Sequence, residues 1–322
     1  WWGGLFFALL PINVYYGRTF QAESFLIFLA ALSIYSSLLW KKNNNFLLIL
    51  ISWLGFTLSC LIKVLPFVWL GLPLLVIYKY KKGISLSRLI VLSWQSFGVW
   101  IFTLTTILIS SIWFLYAYRL GQSTSLSFLI WGNNTGRLSL EMLFDFRQWL
   151  DFFLRVIVRN LAIFGLPLAL IGICKKSQED LSLILKAGLL GMLICTLLAI
   201  KSSFVHEYYQ FPLQLFLCPL IGRGWTDLGS HITFRTNLNI LRFSLILFTA
   251  LTSLTILHLD YFSLERKQAK IWMPLVLDIR REVGMTSKIV SVTGPDPTLL
   301  NLARRQGWLT TSENINQGSI NS

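Results

Sequence analysis

Apolar residues fall along this chain in long segments separated by short polar connections. A segment that crosses the roughly 30 Å of bilayer hydrocarbon reads as a helix of about 20 residues. Nine such segments follow one another: Trp1–Ile12, Glu23–Leu39, Phe46–Ile62, Val64–Tyr78, Leu89–Tyr118, Phe152–Cys174, Leu181–Ile200, Tyr208–Ile221 and Leu241–Leu259. They predict an all-α polytopic membrane protein with about nine transmembrane helices over residues 1–259. Leu89–Tyr118 carries no charge and is longer than one perpendicular span, so it is tilted or runs on into an interfacial segment. Trp1–Ile12 is too short to span, so the chain is expected to begin inside a span.

From Asp260 the pattern changes. Pro274–Val283 reads as an amphipathic helix stopped by Gly284, and Lys288–Thr293 as a short strand of β-branched residues. Gly294-Pro295-Asp296-Pro297 reads as a turn in which Asp296 caps a helix beginning at Pro297, running to Arg305 and ending at Gly307. Residues 260–309 are therefore expected to form a small α/β extramembrane segment, too small to fold robustly alone, and 310–322 a disordered polar tail.

Composition agrees with the membrane reading, since only 13% of residues are charged, 55% are hydrophobic and the mean hydropathy is +0.64. The 28 Lys+Arg against 14 Asp+Glu do not imply nucleic acid, because the cations sit in short clusters between apolar runs. Lys41-Lys42, Lys79 to Lys82 with Arg88, Lys175-Lys176 with Lys186, and Arg223 with Arg235 and Arg242 occupy alternate connections, which places those connections in the cytoplasm. The other connections are poor in cations, with Arg18, Lys63, Arg119, Arg137, Arg147 and Lys201 as the main ones. The connection from Tyr118 to Asp151 is long, with Trp131, Gly132, Asn133, Asn134 and Gly136 followed by an amphipathic stretch from Leu138 to Leu150. That stretch reads as a helix on the membrane surface, and the connection is either functional or a plain solvated loop. Cys60, Cys174, Cys195 and Cys218 have no metal or redox spacing and read as small buried hydrophobes.

With this topology the ionisable residues at membrane boundaries gather on the non-cytoplasmic side: Arg18, Glu23, Lys63, Arg119, Glu141, Asp145, Lys201, His206 and Glu207. Charges near hydrocarbon cost a few kcal/mol each and point to function, although residues at span ends also snorkel. Arg18 belongs to a loop and Glu23 to the first turn of a helix, where the dipole alone would favour a carboxylate. Alternatively Arg18 holds an anion while Glu23 orients a polar ligand. Lys63 interrupts the apolar stretch Phe46–Tyr78 and must meet water, protein or a lipid phosphate. His206-Glu207 begins like the zinc motif H-E-x-x-H, but its second ligand position is Gln210, which excludes that chemistry. Tyr208 and Tyr209 read as interfacial belt residues or as ligands.

Several of these segments resemble one family. They are Pro11 with Tyr16-Gly17-Arg18-Thr19-Phe20-Gln21-Ala22-Glu23, Leu61-Ile62-Lys63, Trp113-Phe114-Leu115-Tyr116, and His206-Glu207-Tyr208-Tyr209-Gln210-Phe211-Pro212. In the tail, Gly294 to Leu300 and Ala303 to Trp308 add to the likeness. Together they are similar to the GT-C glycosyltransferases that use polyprenyl-phosphate sugars, in particular glycosyltransferase family 39, whose relatives include protein O-mannosyltransferases and aminoarabinose transferases. The resemblance implies a GT-C-like fold in a bacterial inner membrane, with the C-terminal tail extracytoplasmic. It implies a polyprenyl-phosphate sugar as donor and a glycan, lipid or protein as acceptor; no residue is assigned as a metal ligand. Arg18, Glu23, His206 and Tyr208 would support the active site, and Lys63 and Lys201 would hold the lipid phosphate. The family's catalytic Asp would lie upstream of residue 1, so this segment alone is expected to be inactive; Glu23 matches a second acidic position. The alternative from another class is a multi-span transporter or lipid flippase, and a third is an assembly subunit without chemistry.

Overall fold

A computed structural model describes residues 1–19, 21–79, 97–124, 139–175, 180–231, 235–294, 296–310 and 312. Phe20, Lys81, Lys82, Arg88, residues 89–96, the Trp131–Arg137 part of the long connection, Lys176, Pro295 and residues 311 and 313–322 of the polar tail lie outside them. The chain divides into two compact units, Trp1–Ile256 and Leu257–Ser322.

Among the described residues, all regular structure in the first unit is helical. Its helices are α1 (Trp2–Leu9), α2 (Pro11–Tyr16), α3 (Glu23–Asn43), α4 (Phe46–Ile62), α5 (Pro66–Trp69), α6 (Gly71–Lys79) and α7 (Phe97–Thr124). They continue with α8 (Leu140–Phe144), α9 (Phe146–Arg155), α10 (Gly165–Cys174), α11 (Asp180–Leu198), α12 (Ile200–Val205), α13 (Gln214–Asp227) and α14 (Arg235–Ile256). Among the described residues four helical stretches are long and apolar enough to cross a membrane: Glu23–Asn43, Phe97–Gly121, Leu181–Leu198 and the one beginning at Asn237. Phe146–Asn160 with Gly165–Cys174, bent by 100°, makes a fifth if the pair is one span, and Phe46–Ile62 and Pro66–Tyr78 are apolar but shorter. Leu104, Leu108, Ile112 and Leu115 of α7 are all more than half exposed, as suits a helix whose solvent is lipid.

The nine apolar runs thus do not become nine straight helices, and the breaks have local causes. Pro11 stands at a helix start, where a residue without an N–H is tolerated, and splits Trp1–Ile12; Pro66 starts α5, and Val64–Tyr78 breaks at Leu70, where Pro73 has no N–H to donate back to Trp69. Residues 207–213, with Pro212 among them, wind as a 3₁₀ helix ahead of α13. Phe152–Cys174 is interrupted by a π-helical turn at Val156–Asn160, followed by Ala162 and Ile163 at φ 46° and 61°. Of the four cysteines, Cys174 is exposed, contrary to the burial expected from its apolar neighbours, because it ends α10; the other three are buried.

Helices α3 and α4 form an antiparallel hairpin. Asn44 takes the left-handed conformation at φ 52° and Asn45 caps α4 by accepting from the Leu47 N–H at 2.9 Å. A Cβ on Gly55 would stand 2.8 Å from the Leu29 carbonyl oxygen, so the two backbones are in contact there. Ser33 donates to the Ser52 carbonyl at 2.8 Å, and the Ser37, Ser52 and Tyr78 hydroxyls satisfy one another within 2.5–3.2 Å. Closer still are α10 and α13: a Cβ on Gly172 would lie 2.0 Å from the Leu220 carbonyl oxygen, and one on Gly224 1.9 Å from that of Leu168. Lys175 and Asp227 then pair at 2.8 Å where these two helices end.

These contacts give the bundle two chemically distinct ends. Glu23 opens α3 and Lys41-Lys42 close it, and 21 residues of helix separate them by about 30 Å. Lys63, following α4, returns to Glu23, whereas Lys175 and Asp227 follow the helices that lead away from it.

The second unit starts with a π-helical turn at Leu257–Phe262 and α15 (Ser263–Glu282), which is longer than the predicted Pro274–Val283 and carries Pro274 inside it. The strand β1 (Ile289–Ser291) is shorter than the predicted Lys288–Thr293, and Asp296 Oδ1 accepts from the Thr298 N–H at 2.9 Å ahead of a helix that starts at Thr298 rather than Pro297. Helix α16 (Thr298–Ala303) ends sooner than predicted, and Gly307–Leu309 is β2, which pairs parallel with β1 rather than merely ending a helix. Arg305 is buried and donates to the Val283 carbonyl at 2.7 Å, satisfying a backbone acceptor at the end of α15.

Gly224→Ala forces a methyl into the Leu168 carbonyl. It is expected to lower the unfolding temperature in detergent by an amount equivalent to about 1–3 kcal/mol, whereas Gly98→Ala, with nothing within 4 Å, leaves it unchanged; thermal unfolding of the purified variants measures both.

Candidate functional site

Two ion pairs meet at the Glu23 end of the bundle. Glu23 is buried at the N-terminus of α3, and the Lys63 ammonium donates to its Oε1 from just beyond the C-terminus of α4. Each charge sits at the helix end whose dipole favours it, so the pair also joins two opposed macrodipoles. Lys63 Nζ lies 4.6 Å from the centroid of Tyr208 and 4.5 Å from that of Tyr209, in reach of both π-faces. His206 stacks on Tyr208 at 5.2 Å with the planes 21° apart. The second pair joins Arg159 Nη1 to Glu207 Oε2 at 2.6 Å, with Glu207 buried.

Tyr16 extends the aromatic cluster around the first pair. Its ring meets Tyr208 edge-on at 6.4 Å and Tyr15 at 5.0 Å, and the Arg18 guanidinium stands 5.9 Å from the Tyr15 centroid. Five of the six expected site residues, Arg18, Glu23, Lys63, His206 and Tyr208, therefore belong to one set of contacts. Lys201 does not: it is exposed on α12 and among the described residues joins neither ion pair nor the cleft that Glu23 and Lys63 line. It occupies the first turn of a new helix, because the chain breaks at Ala199 instead of continuing the span.

The cleft is bounded by Glu23, Lys63, Trp69, Thr196, Tyr208 and Tyr209. It is narrow: about 20 Å³ is open to the centre of a water molecule, room for about one. Beneath the Arg159–Glu207 pair a row of buried amides enters the bundle. Asn160 Nδ2 donates to Gln210 Oε1 at 3.1 Å, Gln214 Nε2 donates to Asn160 Oδ1 at 2.9 Å, and Asn13 Nδ2 donates to the Phe7 carbonyl at 2.8 Å and to Gln214 Oε1 at 3.4 Å.

Arg155 and Arg159 were not among the expected site residues, because they lie inside an apolar run that reads as a span. Their spacing of one helical turn, followed at once by Asn160, was the available signal, since cations within a span mark a bundle interior or a water-filled face. The π-helical turn carries Arg159 and Asn160 to their partners, and Arg155 Nη2 donates to the Phe204 carbonyl at 2.6 Å. Among the described residues no cluster of three or more His, Cys, Asp or Glu could hold a metal ion.

The His206 imidazole titrates below its usual value of 6.5, first because of partial burial and then because of the Lys63 ammonium. The folded protein thus favours the neutral ring. Its contribution to stability is present above the unfolded value and is lost as pH falls through the folded one. Comparison of the chain with protein-family models, with curated proteins and with solved structures returns no match.

Two outcomes follow from this geometry. Glu23→Leu strands the Lys63 ammonium and should cost about 3 kcal/mol, whereas adding Lys63→Met should recover part of it; the coupling is read from a double-mutant cycle of unfolding free energies. Lys63→Met alone should raise the His206 pKa, followed by the ring-proton or ring-carbon shift in an NMR titration.

Proposed function

We propose that this chain is an integral-membrane glycosyltransferase of the GT-C type, with about nine spans, that moves a sugar from a polyprenyl-phosphate carrier to an acceptor hydroxyl at the extracytoplasmic face. The observation that carries the reading is the Lys63–Glu23 pair, backed by the stacked rings of Tyr208 and Tyr209 at the bundle end opposite Lys41-Lys42. Lys63, Glu23 and the tyrosines come from three of the segments that carry the family resemblance. The positive-inside rule then makes their end the external one. Nucleotide sugars are confined to the cytoplasm, so a transferase working on that side needs a donor carried across on a lipid.

On this reading the sugar's anomeric carbon is attacked by the acceptor hydroxyl while the bond to the carrier phosphate breaks. Negative charge then accumulates on the departing phosphate, and a fixed cation beside it lowers the barrier. Lys63 is that cation, and Glu23 together with the Tyr208 and Tyr209 rings holds it in place. Arg18, positioned through Tyr15 and Tyr16, is a second cation on the same face. Glu23 is engaged with Lys63 and is poorly placed to take the acceptor's proton, so the base is a different carboxylate. A transporter would instead place charged groups within the bundle, where the polar side chains described above are neutral, among them the amides Asn13, Asn160 and Gln214 and the hydroxyls of Ser33 and Ser52.

Transfer is tested with the full-length protein and a panel of polyprenyl-phosphate sugars. Arg18→Ala and Lys63→Met should each reduce turnover at least 100-fold without changing membrane insertion, in the range expected for loss of a charge-stabilising group. Wild-type turnover in the Lys63 variant would remove it from the site.

A further inference from the structure

The stretch from Phe204 to Gln210 carries His206, Tyr208 and Tyr209, and it runs across a break between two helices. Helix α12 ends at Val205, His206 is extended at φ −108° and ψ 109°, and a 3₁₀ helix begins at Glu207. Side chains from the end of α9 and the turn after it hold this stretch. Arg155 Nη2 donates to the Phe204 carbonyl at 2.6 Å, Arg159 Nη1 to Glu207 Oε2 at 2.6 Å and Asn160 Nδ2 to Gln210 Oε1 at 3.1 Å. The anchored residues recur at every third position, the repeat of a 3₁₀ helix, so Glu207 and Gln210 share one face of it. Tyr208 and Tyr209 occupy the rest of that turn, with the Lys63 ammonium 4.6 and 4.5 Å from their centroids.

The anchors lie on both sides of the break at His206. Phe204 belongs to the last turn of α12, where carbonyls lack partners inside the helix and a guanidinium can supply one. Its ring is also packed, with Trp149 and Phe152 centroids at 5.0 and 5.7 Å. Glu207 is buried, so its carboxylate must keep a cation beside it or move to water. Stranding that charge costs more than a cation–π contact provides, so without Arg159 the turn gives way and carries the two tyrosines with it.

We infer that Arg155 and Arg159 are positioning residues, which fix the turn on both sides of His206 so that Tyr208 and Tyr209 stay against the Lys63 ammonium. Neither arginine lines the cleft that Glu23 and Lys63 share. The inference rests on the proposed transferase in one respect, that Lys63 is the cation beside the departing phosphate.

The test uses the full-length protein. Arg159→Ala should lower kcat and kcat/KM alike by about tenfold to 100-fold, because a misplaced ammonium is felt in the transition state. Arg159→Lys, which keeps the charge and a donor, should recover most of that loss. A second readout is independent of transfer. The His206 ring stacks on Tyr208 and titrates below its usual value of 6.5 because of partial burial and the Lys63 ammonium. Arg159→Ala and Glu207→Ala remove charges of opposite sign, which through space alone would move the His206 pKa in opposite directions. Loosening the turn exposes the ring and takes it from Lys63, so both variants should raise that pKa towards 6.5 in an NMR titration. Gly224→Ala, which strains the contact of α13 with α10 instead, should leave it unchanged. Arg159→Gln and Glu207→Gln carry the same comparison if the alanine variants do not fold. Opposite or absent His206 shifts, the same shift in Gly224→Ala, or wild-type kcat in Arg159→Ala would overturn the inference. A wild-type protein that transfers no sugar, with both His206 shifts as expected, would overturn the transferase reading and leave the positioning role standing.

Discussion

Inside hydrocarbon no water is available to satisfy a polar group, so each polar side chain that a bundle carries must find its partner within the bundle. The departures from straight helix in this protein fall where that requirement acts. Asn160, Gln210 and Gln214 are almost completely buried and are linked to one another by hydrogen bonds, with only Gln210 Nε2 of the three left without a partner among the described residues, where the chain winds as a π-helix up to Asn160 and as a 3₁₀ helix through Gln210. Ala162 and Ile163 sit in the left-handed region just beyond, at about 1–2 kcal/mol each for residues with a Cβ. Leaving two buried amides unpaired would cost about 1–3 kcal/mol apiece, so the strain and the hydrogen bonds it permits are of the same size. The bend between α9 and α10 is the compromise between them.

The same constraint explains what could be read from the sequence. Phe46–Ile62 was legible to the residue, because Asn45 and Lys63 bound an uninterrupted apolar run whose ends coincide with its caps. Glu23 was recognisable as the first helical residue and Lys63 as a cation with no room for a loop, although neither position discloses that they touch across 40 residues. That contact follows from the tight Asn44-Asn45 turn, which brings the end of α4 back beside the start of α3. Arg159 was hidden for the opposite reason, since hydropathy averages over a window and a kinked segment with two arginines still scores as apolar. Lys201 looked equivalent to Lys63 at the end of a run, but a break at Ala199 places it on another short helix. In the second unit β2 has three residues, too few for a period of two to register, and only its pairing with β1 defines it.

Small residues account for how the helices approach closely enough for these polar pairs to form. With lipid on the outside, no hydrophobic force gathers the helices, and association rests on packing and hydrogen bonds. Gly172 and Gly224 let α10 and α13 meet backbone to backbone, which brings Lys175 to Asp227. Gly55 does the same for α3 and α4, and Ser33, Ser37 and Ser52 bond across that contact.

For the proposed transferase, the way Lys63 is held bears on how tightly a phosphate can bind. The Glu23 carboxylate offsets part of its charge, and it cannot withdraw without remaining buried and unpaired. An incoming phosphate therefore shares Lys63 with Glu23 instead of replacing it. Sharing weakens the ground-state complex of donor and of product alike, which an enzyme gains from whenever tight product binding would slow turnover. It also gives the cleft, now open to about one water, a mechanical reason to widen. The Lys63 ammonium stands against the stacked rings of Tyr208 and Tyr209, and this cation–π attraction is weaker than the ion pair, so an ammonium drawn outward by an anion gives up those rings before it gives up Glu23.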